Sequence, residues 1–329
     1  FLKYKTQEIK HAGHGVSMLH MTKDSMEKLV VKLPPLAEQK RIVAKVDELM
    51  ALCDRLDAQH AERQARRQTL TRAAIARFTA DPTIANLQYL FDPDFAIEPD
   101  DLRKVILTLA VRGKLVRQEE GDGSAQDYIE EIKTFNKTAI SKTSIADTAK
   151  DDDGFNCEYE IPKNWVWARL GDIVINRDSE RVPVNKDDRH KREKKYDYYG
   201  ASGIIDRIDA YLFDKPLLLI GEDGANLLNR STPIAFIARG KYWVNNHAHV
   251  LDGISEDFLK YLELYINAID LRKYVTGSAQ PKMNQAKMNS IPIALPPEKE
   301  CKRIIYKVSE LICIINSQIA NIIIMTTAL

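Results

Sequence analysis

The sequence predicts an α+β protein: a mixed α/β domain carried on long helices that form an antiparallel coiled coil. Three observations predict it. The phrase LPPLAEQKRIVAKVDEL at residues 33–49 returns as LPPEKECKRIIYKVSEL at residues 295–311. Each copy opens a run whose apolar residues step by four and three, which is the seam of a coiled coil. Between the copies, from 156 to 295, short β-prone runs alternate with Gly, Asn and Asp, the composition of a mixed globular domain.

The repeat sets the organisation of the chain. With Met21 aligned on Met283, no gap is needed through Leu49 and Leu311. Met26/Met288, Leu33/Leu295, both prolines, Glu38/Glu300, Lys40/Lys302, Arg41/Arg303, Ile42/Ile304, Lys45/Lys307, Val46/Val308 and Glu48/Glu310 are identical. Gly15 meets Gly277, and FLKY at Phe1 meets FLKY at Phe258. Residues 1–35 therefore read as the C-terminal remnant of a domain whose full copy comes later. Residues 36–80 form the first long helix, 81–155 a short helix and polar linker, 156–295 the full domain, and 296–329 a second, incomplete long helix.

Each copy runs from a β-prone stretch (LVVKL, IPIAL) into Pro-Pro, and proline opens a helix but does not fit inside one. The first seam is Ile42, Val46, Leu49, Cys53 and Leu56; it meets His60, Arg63 and Arg67 before Leu70 and Ala74 resume it. The second is Ile304, Val308, Leu311 and Ile315, continued by Gln318, Ile322 and Met325. A polar break in a seam weakens association and fixes register, so the two seams are expected to pack on each other. A helix from Leu36 to Phe78, stopped by ADPT, spans about 65 Å and must bridge separate bodies. A short helix, DDLRKVILTLAVRGKL, begins at Asp100–Asp101, and Gly113 is its stop or a tight contact. The stretch from Glu119 to Gly154 is polar without lasting periodicity and reads as a partly disordered linker. Ser255, with Glu256 and Asp257 behind it, opens a helix over SEDFLKYLELYINAI.

Composition bounds the rest. The 329 residues suit two or so domains, and 48 basic against 47 acidic residues leave a net charge of +1. Only local clustering can then speak for a nucleic-acid partner. Cys53, Cys157, Cys301 and Cys313 have neither zinc-site spacing nor the density of a disulfide framework, which points to a reducing cytoplasm. No signal peptide is expected. Asn316, Gln318 and Asn321 interrupt the apolar tail. It is short of the roughly 20 apolar residues that a bilayer requires, so a buried helix is expected. The chain opens on Phe1 and ends inside an apolar run, which points to a longer parent.

Several stretches carry candidate chemistry. In NKDDRHKREKKYDYYG, Lys191, Arg192, Lys194 and Lys195 cluster before Tyr196, Tyr198 and Tyr199. Basic side chains neutralise phosphates, and Arg and Tyr reach base edges; the alternative is a solvated loop. In GEDGANLLNR, Gly221 and Gly224 permit close backbone approach, with Asn226 as a contact; the alternative is a tight turn. In NNHAHV, Asn246 is a contact candidate, and His247 and His249 share one strand face as two metal ligands or as hydrogen-bonded core histidines. In GSAQPKMN, Lys282 and Asn284 precede a helix and either touch DNA or, for Asn284, cap it. Arg63, Arg66, Arg67, Arg72 and Arg77 face DNA, a partner or solvent. Catalytic motifs are missing. An adenine methyltransferase needs Asn/Asp-Pro-Pro-aromatic, and both Pro-Pro pairs here follow leucine. No Walker-type phosphate loop is present. REKK at 192–195 reads as a charge run, because Asp187 and Asp188 lie too close to it for nuclease geometry.

IPKNWVWARLGDIV resembles the opening of a target-recognition domain in the specificity subunits of type I restriction–modification systems. YYGASGIIDRIDAYLFDKPLLLIGEDGANL is similar to its middle. NNHAHVL, TGSAQPKMN and IPIALPPEKECKRI are similar to its end and to the entry of a spacer helix. LRKVILTLAVRGKLVRQ resembles the segment after the first spacer helix. The resemblance implies two recognition domains that each read half of a split site on double-stranded DNA, and two spacer helices that dock methyltransferase subunits. Those subunits would use S-adenosylmethionine on adenine. Restriction/translocase subunits would use ATP and Mg, and no cofactor is expected in this chain. Here the first recognition domain is a stub, so self-association is expected if the chain is a half-subunit. Lys191, Arg192, Lys194, Lys195, Tyr198, Asn226, Asn246, Lys282 and Asn284 then become the expected DNA contacts of a non-catalytic reader. The alternative is a coiled-coil interaction scaffold without DNA binding.

Overall fold

Proline at 34 and 35 starts the first long helix, and the amide of Gln39 reaches back to the Pro34 carbonyl at 2.8 Å. In the computed structural model, which describes residues 27, 33–91, 97–140, 159–277 and 280–327, this helix is α1 (Leu36–Ala80), 45 residues long. The remnant at 1–26 and 28–32, the linker at 141–158 with Cys157, and the side chains of Ile322 and Met325 lie outside the described residues.

The chain divides into two compact units, Phe1–Arg66 and Arg67–Leu329. In the first unit α1 carries surface ion pairs, Lys45–Glu48 and Arg66–Glu62, each worth a few tenths of a kcal/mol, roughly 0.3–0.5. Its seam residues Ile42, Val46, Leu49, Cys53 and Leu56 are all exposed.

In the second unit the end of α1 buries Ala74 and Phe78. Thr83 caps α2 (Ile84–Tyr89) by accepting from Asn86 N at 3.3 Å. Next comes α3 (Pro99–Val111), with Asp100 and Asp101 in its first turn. Gly113, at φ +65, ends it: Gly113 N–H bonds to Ala110 O and Lys114 N–H to Leu109 O, a Schellman closure. A Cβ at Gly113 would also stand 2.4 Å from Pro162 Cγ, so both readings of that glycine hold.

The linker reading is corrected at α4 (Ala125–Ile140). Tyr128, Ile129 and Ile132 are buried at the i, i+1, i+4 spacing of a one-sided helix. The polar residues between them hid this stripe.

The remaining elements are β1 (Val166–Arg169), α5 (Leu170–Ile173), β2 (Ile175–Asn176), α6 (Lys186–His190), β3 (Tyr196–Gly200), β4 (Gly203–Ile208), β5 (Phe213–Asp214), β6 (Leu217–Gly221), α7 (Asn226–Asn229), β7 (Ala235–Ala238), β8 (Lys241–Val244), β9 (Ala248–Asp252), α8 (Glu256–Ala268), α9 (Gln285–Asn289), β10 (Pro292–Leu295) and α10 (Glu298–Thr327). Antiparallel β1 and β10 clasp the two ends of the α/β part together, Val166 opposite Leu295. One four-stranded sheet has the order β2-β9-β6-β7, the other β4-β3-β8-β5, with β3 and β8 parallel. The unbroken apolar run of β6 marks a strand covered on both faces. Leu217 and Leu219 enter the cluster shared with Tyr242 and Val244 of β8, while Leu218 and Ile220 face the cluster under α8.

Ser255 caps α8, accepting from Phe258 N at 3.1 Å. The second long helix packs its seam on α3 and α8: Ile304, Val308, Leu311 and Ile315 are all buried. The expected mutual packing of the two seams is therefore corrected for this one. What covers it is a pair of short helices whose apolar stripes fit the same 4–3 spacing.

Candidate nucleic-acid interface

The expected contact residues separate to opposite ends of β3. At its N-terminal end lies the basic run. Asn185 caps α6 through Asp188 N at 2.8 Å, which turns the chain so that the run lies beside β4. Lys194 Nζ donates to Arg189 O at 2.9 Å, Asp206 Oδ1 at 2.9 Å and Arg207 O at 3.1 Å, which uses all three ammonium donors. The Lys194 bond, with the Arg207 N–H and Arg189, holds the Asp206 carboxyl far below the usual carboxylate range. Lys194 as a phosphate contact is thus corrected: it is a fastener of the β3–β4 hairpin.

Tyr198 is corrected too. It is fully buried, its hydroxyl accepts from Val184 N at 3.1 Å, and Arg189 stacks over its ring at 4.6 Å. Alternation along β3 turns Tyr198 into the small cluster with Ile208 and Trp243. Arg192 leans toward Asp209 at 3.5 Å, and Lys195 lies over Tyr196 at 5.2 Å. Lys191 and Lys195 stay exposed.

The other end of β3 gathers three loops. Glu222 N donates to His247 O at 2.8 Å, Met283 N to Glu222 O at 2.8 Å, and Gly224 N to Pro281 O at 3.0 Å. Gly224 has φ +104, so glycine is what the bend requires. Asn245 N bonds to Tyr199 O at 3.1 Å, joining these loops to the end of β3.

Asn226 is corrected from contact to turn-former. Its amide donates to Thr232 O and Thr232 Oγ1, and its carbonyl accepts from Ser231 Oγ and Thr232 N. Asn284 takes the capping alternative, accepting from Lys287 N at 2.9 Å. Lys282 Nζ lies 3.1 Å from Glu222 Oε1 and remains half exposed. Asn246 is exposed at the crest of its turn. His247 and His249 go to different carboxylates, Asp223 at 2.7 Å and Asp178 at 2.6 Å. Among the described residues, no group of three or more His, Cys, Asp and Glu could hold a metal ion. Among them, too, no helix is long and apolar enough to cross a membrane.

Beneath the loops runs a charged network of which sequence reasoning had singled out only His249 and Lys282. His249 Nδ1 faces Asp178 Oδ2 and its Nε2 faces Met283 O at 2.9 Å. Both partners accept, so both ring nitrogens carry hydrogen and the ring is an imidazolium. Arg181 Nη1 donates to Glu222 Oε2 at 2.8 Å and to Ala248 O at 2.7 Å.

Burial pulls the His249 pKa down, but the bond and charge of Asp178, with Met283 O and Glu222, outweigh it, and the value lies above the ordinary one. Burial pushes Asp178 up, yet the His249 bond and charge, the Val250 N–H and Arg181 bring it below its ordinary value. Glu222 is likewise lowered against burial by Arg181, His249 and Lys282. The available signal was the density of charge in NRDSER, where Arg177, Asp178, Glu180 and Arg181 fall within six residues, since buried charges must be paired.

A further buried carboxylate, Glu300, secures α10. It accepts from Gln118 Nε2 at 2.8 Å, Trp165 Nε1 at 2.9 Å and Asn164 Nδ2 at 3.3 Å. Burial nevertheless keeps its pKa above the ordinary value. One turn on, Arg303 grips Asp122 with two nitrogens.

The model of the family described as "Type I restriction modification DNA specificity domain" matches residues 1–63 and 162–323, more than half of the chain and most of the α/β part. The type I restriction enzyme EcoEI specificity subunit of Escherichia coli is 26% identical over 309 residues, covering 82% of this chain and 51% of that protein. The EcoAI specificity subunit of Escherichia coli is 25% identical over 321 residues, covering 86% and 53%. The chain thus spans about half the length of the curated relatives it matches. A solved HsdS subunit from Thermoanaerobacter tengcongensis aligns at 15% identity with a TM-score of 0.38, covering 96% of this chain and 61% of that one, a score too low to bear on the architecture. With the family match falling on both the α1 entry and the domain that gathers the loops, this chain belongs to the type I restriction modification DNA specificity domain family.

Proposed function

We propose that this chain is the DNA-recognition and scaffold component of a type I restriction–modification complex. Its α/β part would read one half of a bipartite site on double-stranded DNA. The observation that carries this reading is the convergence of the loops at 222–226, 245–247 and 280–284 within the stretch that matches the family. Asn246 at the crest suits adenine, whose N6 and N7 an amide can bond as a pair; Lys282 suits a phosphate. Lys191 and Lys195, at the far end of β3, suit phosphates alone.

The long helices would dock methyltransferase subunits, and the exposed apolar seam of α1 supports that role. The chemistry would belong to partners: S-adenosylmethionine and adenine methylation to the methyltransferase subunits, ATP and Mg to restriction/translocase subunits, all in the cytoplasm. This chain would supply no catalytic residue. If the chain is a half-subunit, self-association of two copies would supply two readers.

The test is a titration of the complex, reconstituted with its methyltransferase subunit, on specific and scrambled duplexes across a salt series. Phosphate binding weakens steeply with salt, so a steep slope with preference for the specific duplex is expected. A flat slope without preference would leave an interaction scaffold.

A further inference from the structure

The hairpin of β3 and β4 carries a feature that the proposed contacts do not use. Tyr198 pairs with Asp206 and Tyr199 with Ile204, so the register shifts and Ile205 is left as an extra residue on β4. In a regular strand, neighbours point to opposite faces. Here both Ile204 and Ile205 are open to solvent, at 54% and 53% exposure.

Ile205 lies over Gly200, where an added Cβ would stand 3.0 Å from Ile205 Cδ1 and 3.1 Å from Cγ2. Glycine at that position therefore seats the bulged side chain. β4 is the edge of its sheet. Adjacent exposed β-branched residues on an edge strand invite unwanted pairing, and bulges recur beside functional sites because they re-aim side chains.

The location fits the second of these. The hairpin tip sits against the end of β3 that gathers the loops: Asn245 N bonds to Tyr199 O, and a Cβ on Gly221 would come within 2.7 Å of Ala201 O. The patch is two side chains with polar neighbours in Ser202 and the ion pair of Arg207 with Asp197 at 2.9 Å. A protein interface needs roughly 800 Å² on each partner, far more than this pair offers. A base edge bearing a methyl group does not, and thymine presents one in the major groove.

We propose that Ile204 and Ile205 read thymine 5-methyl groups in the half-site bound by this domain, a contact that rests on the DNA-reading function proposed above.

The experiment starts from the sequence that the reconstituted complex methylates, found by sequencing methylated DNA. Each thymine of the half-site is then replaced by deoxyuridine, which removes only the methyl group, and binding of the full chain with its methyltransferase subunit is titrated. For the wild type, one or two positions should weaken binding about four-fold, the worth of one buried methyl group. Ile204→Ala and Ile205→Ala, at exposed positions that leave melting unchanged, should bind the thymine and uracil duplexes equally. Variants that keep the thymine preference, or a half-site at which uracil nowhere weakens binding, overturn the proposal. So do variants that lose the methyltransferase subunit but keep the preference, since the pair would then be a protein contact. A wild type without preference for any duplex overturns the DNA-reading function itself.

Discussion

Replacing His249 by leucine removes a buried cation from between two acceptors that have closed around it. The side chain is 1% exposed, 2.6 Å from Asp178 Oδ2 and 2.9 Å from Met283 O. Leucine fills the space but leaves Asp178 without its closest partner and Met283 O without a ring N–H. Removing one member of a buried pair costs about 3–5 kcal/mol. Asp178 keeps the Val250 N–H at 2.8 Å and Arg181 at 3.5 Å, which places the cost near the lower end, about 3 kcal/mol. At about 2–4 °C per kcal/mol for a body of this size, melting should fall by roughly 6–12 °C. Glutamine, which restores one donor, should recover part of the loss.

The pH dependence has a definite sign. The His249 pKa is raised, so its contribution is complete below the ordinary value of 6.5 and is lost as pH rises through the folded value. Asp178 and Glu222 are lowered, so theirs is present above the ordinary carboxylate values and is lost as pH falls through the folded ones. Arg181 and Lys282 are the cations that face these carboxylates. The assay is a calorimetric melt of the full chain from about pH 6 to about pH 9. The gap between wild type and His249→Leu should be widest at the acid end and narrow on the alkaline side. A variant that melts within a degree of wild type, or a gap constant with pH, would refute a buried imidazolium.

The other expectations are smaller or sharper. Leu311→Asp places an unpaired charge in the core and should cost more than about 4 kcal/mol. Leu49→Asp, at an exposed seam position, should stay within about 0.5 kcal/mol yet lose co-purification with the methyltransferase subunit; thermal melts and pull-downs check both. Trp165→Phe removes the indole donor to Glu300 and should destabilise by about 1.5–3 kcal/mol, read by urea unfolding. Lys194→Ala leaves Asp206 with only Arg189 and the Arg207 N–H and should cost about 1 kcal/mol at this partly exposed site, whereas Lys195→Ala should leave melting unchanged; equal melts would return Lys194 to the surface.

Local signals in the chain were legible, and partnerships between distant segments were not. Pro-Pro before each long helix, Ser255 before α8 and Gly113 after α3 act within one turn of chain, and each does in the structure what its chemistry implies. The duplicated phrase could be read because it is linear. The two seams show the limit: identical spacing leaves Ile42 exposed and Ile304 buried, because only α3 and α8 decide which seam is covered. Lys194 read as a free cation because its acceptor, Asp206, is twelve positions away across a hairpin. The network under the loops draws Asp178, Glu222, His249 and Lys282 from four separate segments. No period or spacing in the sequence joins them. The helix α4 was missed because its apolar stripe is narrow.

The central claim is that the loop end of β3, not the basic run, reads sequence. The most direct measurement is the ratio of affinities for the cognate and a scrambled duplex, taken for the reconstituted complex with Asn246→Ala and, separately, with Lys195→Ala. Loss of a paired contact to one base is worth about 1–3 kcal/mol of discrimination, so Asn246→Ala should lower the ratio at least five-fold. Lys195→Ala should weaken both duplexes alike and leave the ratio unchanged. A ratio untouched by Asn246→Ala but reduced by Lys195→Ala would contradict the account.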